Sequence, residues 1–132
     1  MKNEGISSLL LHDFGQITAQ ENDPEKSVYS VSINPKSQIF QGHFPGNPIC
    51  PGVCHIELIR YCSSLAVSRN LQLATIKKCR FTSVVRPTEP VSLQLVVTIA
   101  DKTDNGCEIK AEITDGQASV CYAECSMRYT DN

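Results

Sequence analysis

Val53-Cys54-His55-Ile56-Glu57-Leu58-Ile59-Arg60-Tyr61-Cys62-Ser63-Ser64-Leu65-Ala66-Val67-Ser68-Arg69 contains neither proline nor glycine. Val53, Ile56, Leu58, Ile59, Leu65, Ala66 and Val67 make most of its helical surface apolar, and Arg60, Ser63, Ser64 and Ser68 leave a narrow polar stripe. A helix that is apolar nearly all round is buried, so the stretch predicts one long helix at the centre of the domain. Few small folds bury a single central helix, so this segment decides the architecture.

Working outward, the residues after the helix read as strands. Thr75 to Val85 is one candidate, broken by Arg86-Pro87-Thr88-Glu89-Pro90. Val91, Leu93, Leu95, Val97 and Ile99 then alternate, as do Ile109, Ala111 and Ile113, and later Cys121, Ala123, Cys125 and Met127. Period-two alternation marks a strand with one buried face. Asn105-Gly106 and Asp115-Gly116 separate these runs and predict tight hairpins of type I′, with φ > 0 at both central residues. Before the helix, Ser27 to Ile33 alternates and Gln16 to Ala19 fits a short strand, with Glu21-Asn22-Asp23-Pro24 as a turn between them. An α+β domain follows: a curved antiparallel sheet wrapped around one buried helix, the hot-dog architecture. Its open sheet leaves edges that a partner chain would cover.

The 132 residues are read as one domain, 1–132, with no internal repeat or linker. Apolar residues make up 41% and charged residues 20%, an ordinary globular composition. A net charge of −2 gives no general reason to expect nucleic acid or an anionic membrane surface as partner. The early apolar run Leu9-Leu10-Leu11 is too short for a leader or a membrane span, so the expected location is the cytoplasm. Seven scattered cysteines, with no Cys-x-x-Cys, read as small buried hydrophobes.

Asn34 to Gly52 holds Pro35, Pro45, Pro48 and Pro51 with Gly42, Gly46 and Gly52. Proline fixes φ and removes a donor, so a long stiff loop is expected, and such loops in small domains are usually functional. Three chemical features cluster at its end. His43 lies in the Gly/Pro-clamped segment and is a candidate general base. Gly52 marks the loop-to-helix junction, where free N–H groups and the helix dipole can hold an oxyanion. Glu57 lies one turn further on, where apolar neighbours would raise its pKa and keep it protonated as an acid. These are the parts needed to enolise a thioester and expel a β-hydroxyl.

The run Gly42-His43-Phe44-Pro45-Gly46-x-Pro48-x-x-Pro51-Gly52-Val53-x-x-x-Glu57 closely resembles the signature of FabZ-type (3R)-hydroxyacyl-acyl carrier protein dehydratases. Arg80-Phe81, followed by Val84, Val85 and Pro87, is similar to that family's strand and turn after the helix. The resemblance covers roughly 27–129. It implies a hydro-lyase of hot-dog fold that forms a trans-2-enoyl thioester, with no metal or organic cofactor. His43 would take the α-proton, and Glu57, from the partner protomer, would protonate or orient the leaving hydroxyl. Amides near Gly52 and Val53 would hold the thioester carbonyl, and the acyl chain would pass Phe44. The substrate would arrive on the phosphopantetheine of an acyl carrier protein. A homodimer or trimer of dimers is implied, with a hetero-oligomer containing another hot-dog chain as an alternative.

Three departures bear on substrate choice. Tyr61 replaces the family's usual Gln, Pro87-Thr88-Glu89 replaces Pro-Gly-Asp, and the usual N-terminal segment is not evident near 9–14. Within fatty-acid or specialised polyene or polyketide-like biosynthesis, they point to a divergent branch serving a polyene, pigment or polyketide-like pathway rather than bulk fatty-acid synthesis. A hot-dog thioesterase and a non-catalytic acyl-binding partner subunit are the competing readings. Cys50, Cys54, His43 and His55 lack the second ligand pair of a zinc finger, so no metal is expected. Cys54 and His55 are neighbours on a helix and do not face each other, which argues against a nucleophile–base pair. His12 and His55 are given no role, and Cys121 and Cys125 are read as core. Lys77, Lys78, Arg80 and Arg86 form a basic cluster that could dock an acidic carrier protein.

Overall fold

The structure is a computed structural model that describes residues 15–23, 25–34, 36–37, 52–83, 91–115 and 120–131; of Gly52, Val53 and Val91 it describes the backbone alone. Six strands and one helix follow in the order β1 (Gly15–Asn22), β2 (Lys26–Ile33), α1 (Gly52–Val67), β3 (Leu71–Phe81), β4 (Val91–Thr103), β5 (Gly106–Thr114) and β6 (Cys121–Asp131). One sheet contains all six strands, ordered β1-β2-β4-β5-β6-β3, and every neighbouring pair is antiparallel. The alternating runs supply the core. Leu93, Leu95, Val97 and Ile99 of β4 are buried with Ile109, Ala111 and Ile113 of β5 and Ala123, Cys125 and Met127 of β6. Leu58, Ile59, Cys62 and Val67 of α1 join the same cluster. No helix among the described residues is long and apolar enough to cross a membrane.

Several boundaries differ from the sequence expectation, each for a local reason. β1 continues to Asn22, so the turn starts later, where the Asp23 amide donates to the Lys26 carbonyl. α1 ends at Val67 because Ser68 takes a left-handed φ of 57°. The amides of Ser68 and Arg69 then bond back to the carbonyls of Leu65 and Ser64, the two bonds of a Schellman cap. The early stop lets β3 begin at Leu71 rather than near Thr75.

The β4–β5 hairpin is also built differently. Thr103 pairs with Gly106, so Asp104 and Asn105 are the turn residues. Neither Asn105 nor Gly106 has positive φ; the left-handed residue is Asp101, at 47°, inside an irregular stretch of β4. Gly106 is needed for space rather than for torsion: a Cβ there would lie 2.4 Å from the Tyr129 carbonyl oxygen. The second hairpin closes with the Asp115 amide donating to Val120, while Gly116 lies outside the described residues.

The helix is not buried all round. His55, Leu58, Ile59, Cys62, Ser63 and Val67 are buried, but Leu65 is 46% exposed, and Glu57, Arg60, Tyr61 and Ser64 are half-buried. The expected polar stripe splits, because Ser63 is fully buried on the core side. β3 has the same open character: it is an edge strand, and Leu73, Ile76 and Phe81 are all exposed.

Candidate functional site

Helical periodicity builds the open side of α1. Glu57, Arg60, Tyr61, Ser64 and Leu65 recur at spacings of three and four residues and so share a face. Gly52 and Val53 form the first turn, one turn before Glu57, as the sequence places them. Helix starts leave amides without intrahelical partners, so this end can offer donors to an anionic oxygen. His43 and Phe44 lie outside the described residues, as do Pro87, Thr88 and Glu89.

Among the described residues, Glu57 meets a cation rather than the apolar pocket expected for it. Arg60 donates to its Oε2 twice, from Nε at 3.0 Å and from Nη2 at 2.7 Å. The third guanidinium bond runs from Nη1 to the Leu71 carbonyl at 3.1 Å, which ties the pair to the start of β3. The Arg60 side chain is only 13% exposed and that of Glu57 27%, so solvent screens the pair incompletely. Both bonds end on Oε2, and Oε1 carries no hydrogen bond among the described residues. Burial, more than any neighbour, raises the pKa of Tyr129, whose ring also lies within electrostatic reach of Arg60 and Glu57.

Arg60 is the residue that sequence reasoning missed. Its i, i+3 spacing from Glu57 was a usable signal, but the side chain had been assigned to a solvent stripe. Tyr61 lines a groove of about 290 Å³ with Arg60, Ser64, Leu65, Ser68 and Arg69.

The other side of the helix carries a second surprise. His55, expected to be unremarkable, is 3% exposed and packs at 5.6 Å against the Phe81 ring. Its Nδ1 finds no hydrogen-bond partner among the described residues, and burial pulls its pKa down from 6.5 to about 4. The imidazole is therefore neutral at pH 7. Burial, and then the Glu57 carboxylate, push the Cys54 thiol up, away from the thiolate a nucleophile needs.

The basic cluster is interleaved with carboxylates. Lys77 is ion-paired with Glu108, and Arg80 stands opposite Glu124 in the β3–β6 register. Lys78 lines an open groove of about 450 Å³ that also holds Lys110, Glu112 and Glu124. Arg86 lies outside the described residues. Among the described residues, Glu112, Cys121 and Glu124 bring ligand-type atoms within 4.8 Å of one another. The two carboxylates of that group are exposed and alternate with the core residues Ala111, Ile113, Ala123 and Cys125, so they lie on the sheet face opposite the core.

Comparison with known proteins bears on this arrangement. The profile of the ApeI-like family, described as ApeI dehydratase, matches residues 19–121. A 3-hydroxyacyl-[acyl-carrier-protein] dehydratase FabZ of Lactobacillus helveticus is 32% identical over 117 residues, covering 83% of this chain and 78% of its own. Among solved structures, a chain of the dehydratase heterocomplex ApeI:P from Xenorhabdus doucetiae superposes with a TM-score of 0.67 at 15% identity, covering 86% of this chain and 94% of its own. A hypothetical thioesterase from Streptococcus pneumoniae, solved with coenzyme A, reaches 0.70 at 12% identity, over 100% of this chain and 96% of its own. The structural likenesses establish the hot-dog fold, which hosts more than one chemistry. The profile and the FabZ relatives go further, and the chain belongs to the ApeI-like dehydratase family of hydro-lyases.

Proposed function

We propose that the chain removes water from a (3R)-hydroxyacyl thioester carried on the phosphopantetheine of an acyl carrier protein, giving the trans-2-enoyl thioester. The observation that carries this reading is Glu57 itself. It closes the His43–Glu57 motif, lies on the open side of α1, and has one carboxyl oxygen held by Arg60 and the other without a hydrogen bond among the described residues. The Arg60 pair fixes the plane of the carboxyl group, which takes up a proton on Oε1 during the cycle and hands it to the leaving 3-hydroxyl. His43 takes the C2 proton, the double bond forms between C2 and C3, and the hydroxyl leaves as water. Amides at the Gly52–Val53 end of α1 hold the thioester oxygen while charge builds there. Solvent returns the proton from His43 to Glu57 for the next cycle.

The exposed apolar residues of β3 support assembly with a second hot-dog chain along that edge. A second copy gives a homodimer or trimer of dimers, and a different chain gives a heterocomplex, the form described for the Xenorhabdus relative. Tyr61, in place of the FabZ-type Gln, lines the groove beside Glu57 and supports a substrate outside bulk fatty-acid synthesis, in a polyene or polyketide-like pathway. The interleaved carboxylates make carrier docking depend on Lys78 and Arg80 more than on the paired Lys77.

The test offers the purified chain a 3-hydroxyacyl carrier substrate and follows enoyl absorbance and free thiol together. Enoyl formation without thiol release is the expected result. Thiol release without enoyl product would make it a thioesterase, and turnover only after adding a second hot-dog chain would make it one half of a heterocomplex.

A further inference from the structure

Cys79 of β3 and Cys125 of β6 are 46 residues apart in sequence and directly opposite in register. Their sulfurs lie 3.1 Å apart, inside van der Waals contact, and both thiols are free. Directly paired residues on antiparallel strands have Cα atoms about 4.5 or 5.5 Å apart, and either spacing falls within the roughly 4.4–6.8 Å that a disulfide spans. Closing the sulfurs to a covalent distance of about 2.05 Å therefore needs about 1 Å of sulfur movement and no rearrangement of the sheet. The other strand positions of cysteine offer no such partner in register: Cys107 stands opposite Tyr129 and Cys121 opposite Thr114.

We propose that Cys79 and Cys125 form a reversible dithiol–disulfide site that covalently fastens the edge strand β3 to β6 under peroxide. The order of events follows from exposure. Cys79 is half-buried on the edge strand, whereas Cys125 is 5% exposed and burial pushes its thiol up to about 12. The Cys79 sulfur attacks the O–O bond of hydrogen peroxide, becomes a sulfenic acid and releases one water. The Cys125 sulfur then displaces the hydroxyl of that sulfenic acid, forming the S–S bond and releasing a second water. The two thiols lose two electrons and two protons, and the peroxide oxygens take up both. With Cys125 held as a thiol, closure of the disulfide is slow beside that of a pair whose second sulfur is a thiolate.

The consequence reaches the helix, because β3 touches it at both ends. The Leu71 carbonyl accepts the bond that anchors Arg60, and the Phe81 ring packs on His55 two residues beyond Cys79. A fastened β3 holds both contacts more firmly.

The test treats the reduced full chain with about 1 mM hydrogen peroxide and maps the peptides by mass spectrometry. The expected result is a loss of about 2 Da per chain, a linked Cys79–Cys125 peptide, full reversal by a phosphine, and a Tm raised by on the order of 5 °C. Cys79→Ser abolishes the link. Cys125→Ser leaves a sulfenic acid at Cys79 that dimedone traps, and if that buried variant does not fold, Cys79→Ser, at a half-exposed position, still decides the matter. Peroxide-treated wild type with Cys79 and Cys125 both alkylatable, overoxidised, or joined to other cysteines would overturn the proposal.

Discussion

The two sides of α1 share one backbone and divide two tasks. Toward the sheet, Leu58, Ile59 and Cys62 are closed off, and even the polar His55 and Ser63 are buried, each with one polar atom that finds no partner among the described residues. Toward the open side, Glu57, Arg60, Tyr61 and Ser64 stay partly exposed, and Arg60 and Ser64 tie that side to Leu71 of β3. The buried side tolerates unsatisfied polar atoms because the surrounding apolar burial outweighs them. The open side spends its polar groups on orientation. A helix can therefore be central to a core and still present a reactive edge.

The largest effect that would break this contrast is a cavity on the closed side. Ile59→Ala is expected to lower stability by about 2–5 kcal/mol. Leu65→Ala, on the same helix but 46% exposed, should change it by less than about 0.5 kcal/mol. Chemical denaturation of both variants checks the pair, and similar losses would mean that the open side is buried in the folded state.

His55 supplies the next effect, and its sign is fixed. Its folded pKa, about 4, lies below the usual 6.5. Above pH 6.5 the imidazole is neutral in both states and carries no penalty. As pH falls from 6.5 toward 4, only the unfolded chain takes up the proton, so stability declines by about 1.4 kcal/mol per unit, roughly 3 kcal/mol in all. Denaturation midpoints at pH 7 and pH 4.5 should show this slope in the wild type and a flatter one in His55→Leu. Equal slopes would place the acid sensitivity elsewhere.

Ser63→Ala gives the smallest effect and an unusual direction. Its hydroxyl is fully buried without a partner among the described residues, so removing the oxygen should leave stability unchanged or raise it by up to about 1 kcal/mol. A loss on thermal denaturation would reveal a hydrogen bond that the closed side depends on.

The sheet core was legible because period two states a strand's buried face directly: Leu93, Leu95, Val97, Ile109, Ile113 and Met127 all point where alternation put them. The edge strands were legible in place but not in extent. Beyond Ile17 most of β1, and most of β3, is exposed in the single chain, so the alternation is weak and their ends depend on local bonds such as the Ser68 cap. Asn105-Gly106 marked the right hairpin for the wrong reason, since the constraint on Gly106 is the nearby Tyr129 carbonyl, a long-range contact invisible to a local reading. At the site, the motif ending in Glu57 was legible as a family pattern, and Tyr61 as a departure from it. Arg60 was not, because a polar residue on a helix reads as solvated until the Leu71 carbonyl is known to receive it.

The most direct measurement compares dehydration rate and thermal stability in Glu57→Gln. The amide keeps the shape and can still accept from Arg60, but it has no carboxyl proton to give. The account predicts that enoyl formation falls by about 100-fold or more while Tm moves by only a few degrees. Dehydration at the wild-type rate in this variant, with Tm unchanged, would contradict it.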